Sequence, residues 1–350
     1  MENQKKTINR GIQILRMIFS FNIVVFHCID NKFQNKFIYF ICRIAVYYYV
    51  PTFFLISFYF SYTTFTSRNI IKLKERLLRI LIPYLIWPCI FWIKYSYINY
   101  TEGNEEKINF KVLFHQLLIG KPFLPVFWFQ FCLIFWSVLF IIIILCFKNF
   151  YKYIMTFLFI LILCLNHFRF VYYLLNGNQS FFAISIWDLF FRNIHMFTGF
   201  FFGSITILNR NIKFKSMIIL LSYIGSIFCK YLNNNKKYDY IYTQFIINII
   251  FIFSSSLPFD LINSYSKIIF FNWSKKIKNR IIILIINQIT SYTGGIYYLH
   301  YEIKHRTFND IYLIKKGSFF SCIIIYLICY LFCFLSFKIF KKTKLKYLFI

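Results

Sequence analysis

Apolar runs long enough to cross a bilayer recur along most of this chain, and that recurrence restricts it to a helical membrane protein. They lie at roughly 11–30, 40–65, 77–98, 124–147, 151–167, 187–208, 215–232, 240–258, 281–303 and 317–338. Each approaches the ~20 residues a helix needs to span ~30 Å of hydrocarbon, so an all-α polytopic bundle of about ten transmembrane helices is expected. Of the 350 residues 59% are apolar and 15% charged, more oily surface than soluble cores hide. The same figures exclude disorder. A net charge of +29 raises the question of nucleic acid, but the basic residues sit in short loops between the runs. Membrane lipid is therefore the expected surface and no nucleic-acid partner is expected.

Loop charges set the orientation. With the N-terminus inside, Lys and Arg favour the inner segments roughly two to one, so both termini are predicted cytoplasmic. The first run carries Arg16 and His27 and lacks a small-residue cleavage site after it, so it is expected to remain as an anchor. No soluble domain is visible. The longest polar stretch, around 100–122, contains the amphipathic segment Phe110 to Leu118, and residues 259–271 are apolar but too short to cross. Most of the ten cysteines fall inside apolar runs and read as small buried hydrophobes. Cys329 and Cys333 are four apart, yet no further ligand with suitable spacing accompanies them, so no metal is expected.

Ionisable side chains inside spans are costly and mark candidate sites. Arg16 and His27 stand eleven residues apart, about 20° past three full turns and about 16 Å along the axis, hence on one face of the first helix. Either this stripe lines a polar cavity that bridges the two sides, or Arg16 and His27 snorkel to opposite surfaces. Arg68, Lys72, Lys74, Arg76 and Arg79 form a basic entry to the third run, with Glu75 placed to pair with Arg79. Asp188, Arg192 and His195 share a helical face at the start of the sixth run. Tyr297 and His300 lie near the outer end of the ninth, where Glu302 and His305 read as solvated. His115 reads as a surface residue.

In order along the chain, several of these segments resemble the membrane-bound acyltransferase-3 family. Arg16 followed after ten intervening residues by His27 matches its opening motif. Phe53-Phe54-Leu55-Ile56-Ser57 is similar to its second-span element, Lys74 to Tyr84 to its basic third-span entry, and Phe127-Trp128-Phe129 to its Trp-Phe-Leu element. Ser291 to His300 resembles the Ser-Tyr-Gly-Ile-Tyr-Leu-x-His element of the ninth span. Gln13, Met17 and Phe58 depart from the Asp, Gly and Gly that the family commonly carries there.

The resemblance implies one membrane acyltransferase domain over 1–350, moving an acyl group, most often acetyl from acetyl-CoA, to hydroxyls of bacterial surface carbohydrate or its lipid-linked precursor. Location in the bacterial inner membrane follows from the same resemblance. Arg76, Arg79, Lys72 and Lys74 are then expected to hold the donor's phosphates. Arg16 would orient the donor, and His27 would act as general base or as transient acyl carrier. Trp128 would stack on a sugar or sit in the interfacial aromatic belt. Arg192 would contact sugar hydroxyls or pair with Asp188, and Tyr297 with His300 would line the site. The competing reading is an exporter on the same helical architecture, with Arg16 and His27 along a translocation path.

Overall fold

The computed structural model describes residues 10–28, 53–54, 56–58, 61–62, 64–101, 110–118, 127–147, 149–158, 161, 287–304 and 319–350. Among these residues every regular element is helical. The runs at 187–208, 215–232 and 240–258 and the segment 259–271 lie outside them.

Helix α1 (Arg10–Cys28) coincides with the first apolar run. Helix α2 (Ile70–Thr101) begins at a tight turn in which Arg68 takes a left-handed φ of 52°, a conformation unfavourable for a side chain with a Cβ. Asn69 caps the helix, its Oδ1 accepting from the Lys72 amide at 3.1 Å. At 32 residues α2 is about 48 Å long, so its basic first turns extend beyond a hydrocarbon core of ~30 Å. Pro83 and Pro88 lie within it and remove the amides that would bond the Arg79 and Tyr84 carbonyls.

Short α3 (Phe110–Leu118) is tied to α2 by the Tyr84 hydroxyl, which donates to the Leu117 carbonyl at 2.5 Å. It buries Leu113 and leaves Phe110, Phe114 and Leu118 exposed. Helix α4 (Trp128–Cys146) is apolar all round apart from the buried Gln130 and Ser137. Cys132, Trp136, Phe140 and Ile143 are buried, whereas Phe135, Val138, Ile142 and Leu145 are exposed at helical spacing, the pattern of one face against protein and one against lipid. Residues 287–304 include α5 (Thr293–Glu302), and α6 (Phe319–Phe340) matches the last run. Helices α2, α4 and α6 contain stretches long and apolar enough to cross a membrane, at Ile70–Ile98, Phe129–Cys146 and Phe319–Phe340.

Helices α1 and α5 run alongside in the same direction, and α6 returns against both. Ser20 meets Tyr326 at 2.9 Å between their hydroxyls, and Phe21 packs edge-on against Phe319. Cys329 and Cys333 are fully buried in this core with Val24, Trp87, Phe91 and Ile296. A second cluster joins the start of α2 and most of the length of α4 to Phe54, Phe58 and Phe65.

After α6 the chain turns back. Thr343 caps a 3-10 turn (Lys344–Leu348), its hydroxyl accepting from the Leu345 amide at 3.2 Å. Trp87 Nε1 donates to the Leu348 carbonyl at 3.1 Å, and Phe349 is buried, stacked on Phe340 and edge-on to Trp87. Two glycines make room for this return. A Cβ on Gly294 would collide with the Ile350 carbonyl, and one on Gly295 would lie 2.5 Å from Cys333 Sγ and 3.1 Å from Phe349 Cα.

Candidate functional site

A cavity of about 520 Å³ opens among α1, α2, α4, α5, Phe53, Ile56, Ser57 and the returning tail. Arg16, nearly two turns into α1, reaches it and donates from Nη2 to Thr293 Oγ1 at 3.0 Å. The Thr293 hydroxyl proton goes to the Thr290 carbonyl at 3.2 Å, leaving a lone pair for the guanidinium. Arg76 projects from α2 and donates from Nη2 to Ser57 Oγ at 2.5 Å and to the Ser57 carbonyl at 3.3 Å. Its Nε is buried and makes no hydrogen bond to the described residues. Arg79, one turn on, lies over the Tyr347 ring at 5.7 Å, and Lys346 lies over the same ring at 5.5 Å. Arg16, Arg76, Arg79 and Lys346 thus bring four positive side chains to a single cavity; none of its described lining side chains is acidic, and Ile350, which carries a main-chain carboxyl, also belongs to the lining.

Gln130 supplies a neutral polar group. Its Nε2 donates to the Ile80 carbonyl at 2.6 Å, which fixes the amide orientation because only the nitrogen can donate. The oxygen is left buried and without a partner among the described residues, on a side chain only 2% exposed that lines the cavity. Such an atom costs about 1–3 kcal/mol unless something else bonds it.

The cavity reaches Ile23 on α1 and Tyr297 on α5, one turn short of His27 and His300. Those two rings are 5.0 Å apart at 42°. Tyr301 meets His27 edge-on at 5.8 Å, and Lys304 Nζ donates to the His27 carbonyl. His300 is fully buried, with Nδ1 3.2 Å from the Ile296 carbonyl. A carbonyl only accepts, so Nδ1 carries the proton and Nε2 is the basic nitrogen of the neutral ring. Tyr297 joins the two levels, its ring 6.0 Å from that of His300 and 5.5 Å from that of Phe129.

Arg16, Arg76, Arg79 and Tyr297 therefore share the cavity, and His27 pairs with His300 just beyond it. Lys72 and Lys74 are exposed and do not line it. Trp128 opens α4, but its side chain is outside the described residues, as are Asp188, Arg192, His195 and His305. His115 is exposed, as expected of a surface residue.

Glu302 corrects the sequence reading. It is 5% exposed rather than solvated, with Lys94 Nζ 2.5 Å from Oε1 and the Tyr95 hydroxyl donating to Oε2 at 2.6 Å. A carboxylate leaves water readily for a cation and a hydroxyl on a neighbouring helix, and both partners come from α2. Gln130, Thr293, Lys346 and Tyr347 are lining residues that the sequence did not single out. Gln130 carried a usable signal, since a polar amide within an apolar run needs a partner inside the bundle.

A family model described as an acyltransferase domain matches residues 9–334. Searches of curated proteins and of solved structures return no significant match. The family match takes in α1 to α5 and most of α6, which together carry Arg16, His27, Arg76, Arg79, Tyr297 and His300. By that near-complete coverage, this membrane protein belongs to the acyltransferase-3 family.

Proposed function

We propose that the protein transfers an acyl group, acetyl from acetyl-CoA foremost, to a hydroxyl of a cell-surface carbohydrate or its lipid-linked precursor. It would do so across the bacterial inner membrane, as a multi-pass protein with both termini cytoplasmic. The observation that carries this reading is the cavity of four cationic side chains, with no acidic side chain among its described lining residues, leading to the His27–His300 pair. Positive groups gathered in a partly dry space repel one another unless an anion joins them, and a phosphate-bearing donor is such an anion. Arg76 Nε and Gln130 Oε1, buried and without a hydrogen-bond partner among the described residues, fit the same donor, one giving and one accepting a hydrogen bond.

Bound there, the donor supplies an acyl group activated as a thioester. Arg76 and Arg79 hold its phosphates, while Arg16, fixed by Thr293, and Gln130 orient its amide-bearing arm. Arg16 stays protonated and takes no part as a base. His27 takes the proton of the acceptor hydroxyl as that oxygen attacks the thioester carbonyl, and gives it up to the thiolate released as the C–S bond breaks, a role worth about 100- to 10,000-fold when well positioned. His300, with Nδ1 anchored on Ile296, faces His27 and steadies its ring and charge. Keeping the phosphates at one level and the histidines at the other places donor and acceptor on opposite sides.

The test is the glycan O-acyl content of cells lacking the endogenous gene, complemented with wild type, His27→Ala or Arg16→Ala at matched membrane levels. Wild type is expected to restore the ester and both variants to fail. Loss of polymer from the cell surface on deletion, with its esters intact, would instead establish an exporter.

A further inference from the structure

The segment after α6 lies beyond the family match, yet it completes the cavity. Its docking is built from several sides: the Trp87 indole on the Leu348 carbonyl, Phe349 buried between Phe340 and Trp87, and the space left by Gly294 and Gly295. Docked in this way, Lys346 and Tyr347 line the cavity together with Arg76 and Arg79. Tyr347 sits between two cations, with Arg79 5.7 Å and Lys346 5.5 Å from its ring centre. Its negative π face thereby holds two like charges near each other in the absence of ligand. Lys341, Lys342 and Lys344 of the same segment are exposed, so Lys346 is distinguished by position and not by composition.

We propose that the tail is a working wall of the donor site, in which Lys346, held on Tyr347, binds the phosphate-bearing end of the acyl donor together with Arg79. This rests on the reading of the cavity as a donor site. The chemistry recognised is a phosphate anion beside a nucleotide, met by an ammonium and a guanidinium across one aromatic ring. An anionic lipid headgroup offers similar chemistry, and the experiment separates the two sources.

The measurement is the Kd of coenzyme A for the full-length protein in nanodiscs of phosphatidylcholine, with pantetheine as the phosphate-free comparison. Lys346→Gln is expected to weaken coenzyme A roughly ten- to a hundredfold and leave pantetheine unchanged. Lys344→Gln, which removes the same charge from an exposed neighbour, should bind as wild type, and Lys346→Arg should keep most of the affinity. Tyr347→Ala should resemble Lys346→Gln, whereas Tyr347→Phe should not. Melting temperatures measured alongside identify any variant that fails to fold, in which case the Lys346→Arg and Lys344→Gln comparison decides.

Unchanged affinity in Lys346→Gln, or an equal loss in Lys344→Gln, overturns the tail's role while leaving the donor reading standing. A wild-type protein that ignores coenzyme A overturns both. Repeating the titration in phosphatidylglycerol nanodiscs tests the lipid source, and near-complete loss of coenzyme A binding there would assign the wall to headgroups and overturn the proposal.

Discussion

The rings of His27 and His300 lie 5.0 Å apart at a tilt of 42°, brought together by helices that are far apart in the sequence and parallel in space. Two imidazoles at that distance act as a unit, so their substitutions are expected not to add. His27→Ala and His300→Ala should each lower the transfer rate about 100- to 10,000-fold. The double variant should be little worse than the more severe single one. Rates from purified enzyme at saturating donor measure this, and a multiplicative loss would show that the two rings act separately.

Among the described residues, Arg16 is held by one small hydroxyl, that of Thr293. Thr293→Val keeps the shape and removes the oxygen that accepts from Nη2. A hydrogen bond to a charged group is worth about 1.5–3 kcal/mol, so a fall in kcat/KM of roughly 10- to 150-fold is expected. Thr293→Ser should recover most of it. The comparison of the two variants separates the hydroxyl from the methyl.

Gly295→Ala places a methyl 2.5 Å from Cys333 Sγ and 3.1 Å from Phe349 Cα. Overpacking of this kind costs about 1–3 kcal/mol, and the melting temperature in detergent should fall. Gly295→Ala combined with Cys333→Ala relieves the thiol contact but not the backbone one, so only part of the loss should return.

Glu302→Ala leaves Lys94 and the Tyr95 hydroxyl without their acceptor at the far end of α2. Side-chain exposures of 41% for Lys94 and 7% for Glu302 place the pair partly in water. The expected loss is therefore about 1–3 kcal/mol, below the ~3–5 of a fully buried pair. Glu302→Gln should lose less, because its amide oxygen still accepts from Tyr95. Thermal unfolding of the three proteins in one detergent checks the order.

Features that follow from a local period were legible in the sequence. The Arg16 to His27 stripe needs only the helical repeat, and both residues do turn toward α5. The helix Phe110–Leu118 was equally plain as an amphipathic segment. What stayed hidden depends on distant partners. Glu302 is buried by Lys94 and Tyr95, whose positions no local pattern around residue 302 reveals. Lys346 looks like any other lysine of a basic tail until Trp87 and the two glycines fold that tail inward. Lys72 and Lys74 show the converse, since membership of a basic cluster does not place a side chain on the cavity.

The hydrogen bond from Arg16 to Thr293 spans 277 positions of the chain, and that separation has a meaning in time. At about 5–20 residues per second, synthesis needs tens of seconds between the emergence of one partner and that of the other. Throughout that interval the first helix carries a guanidinium whose acceptor does not yet exist. A bare guanidinium in hydrocarbon is costly, so until α5 arrives it must be met by water at the boundary or by another polar group. Biogenesis of this enzyme is thus a late closure, with the earliest helix waiting for one of the last.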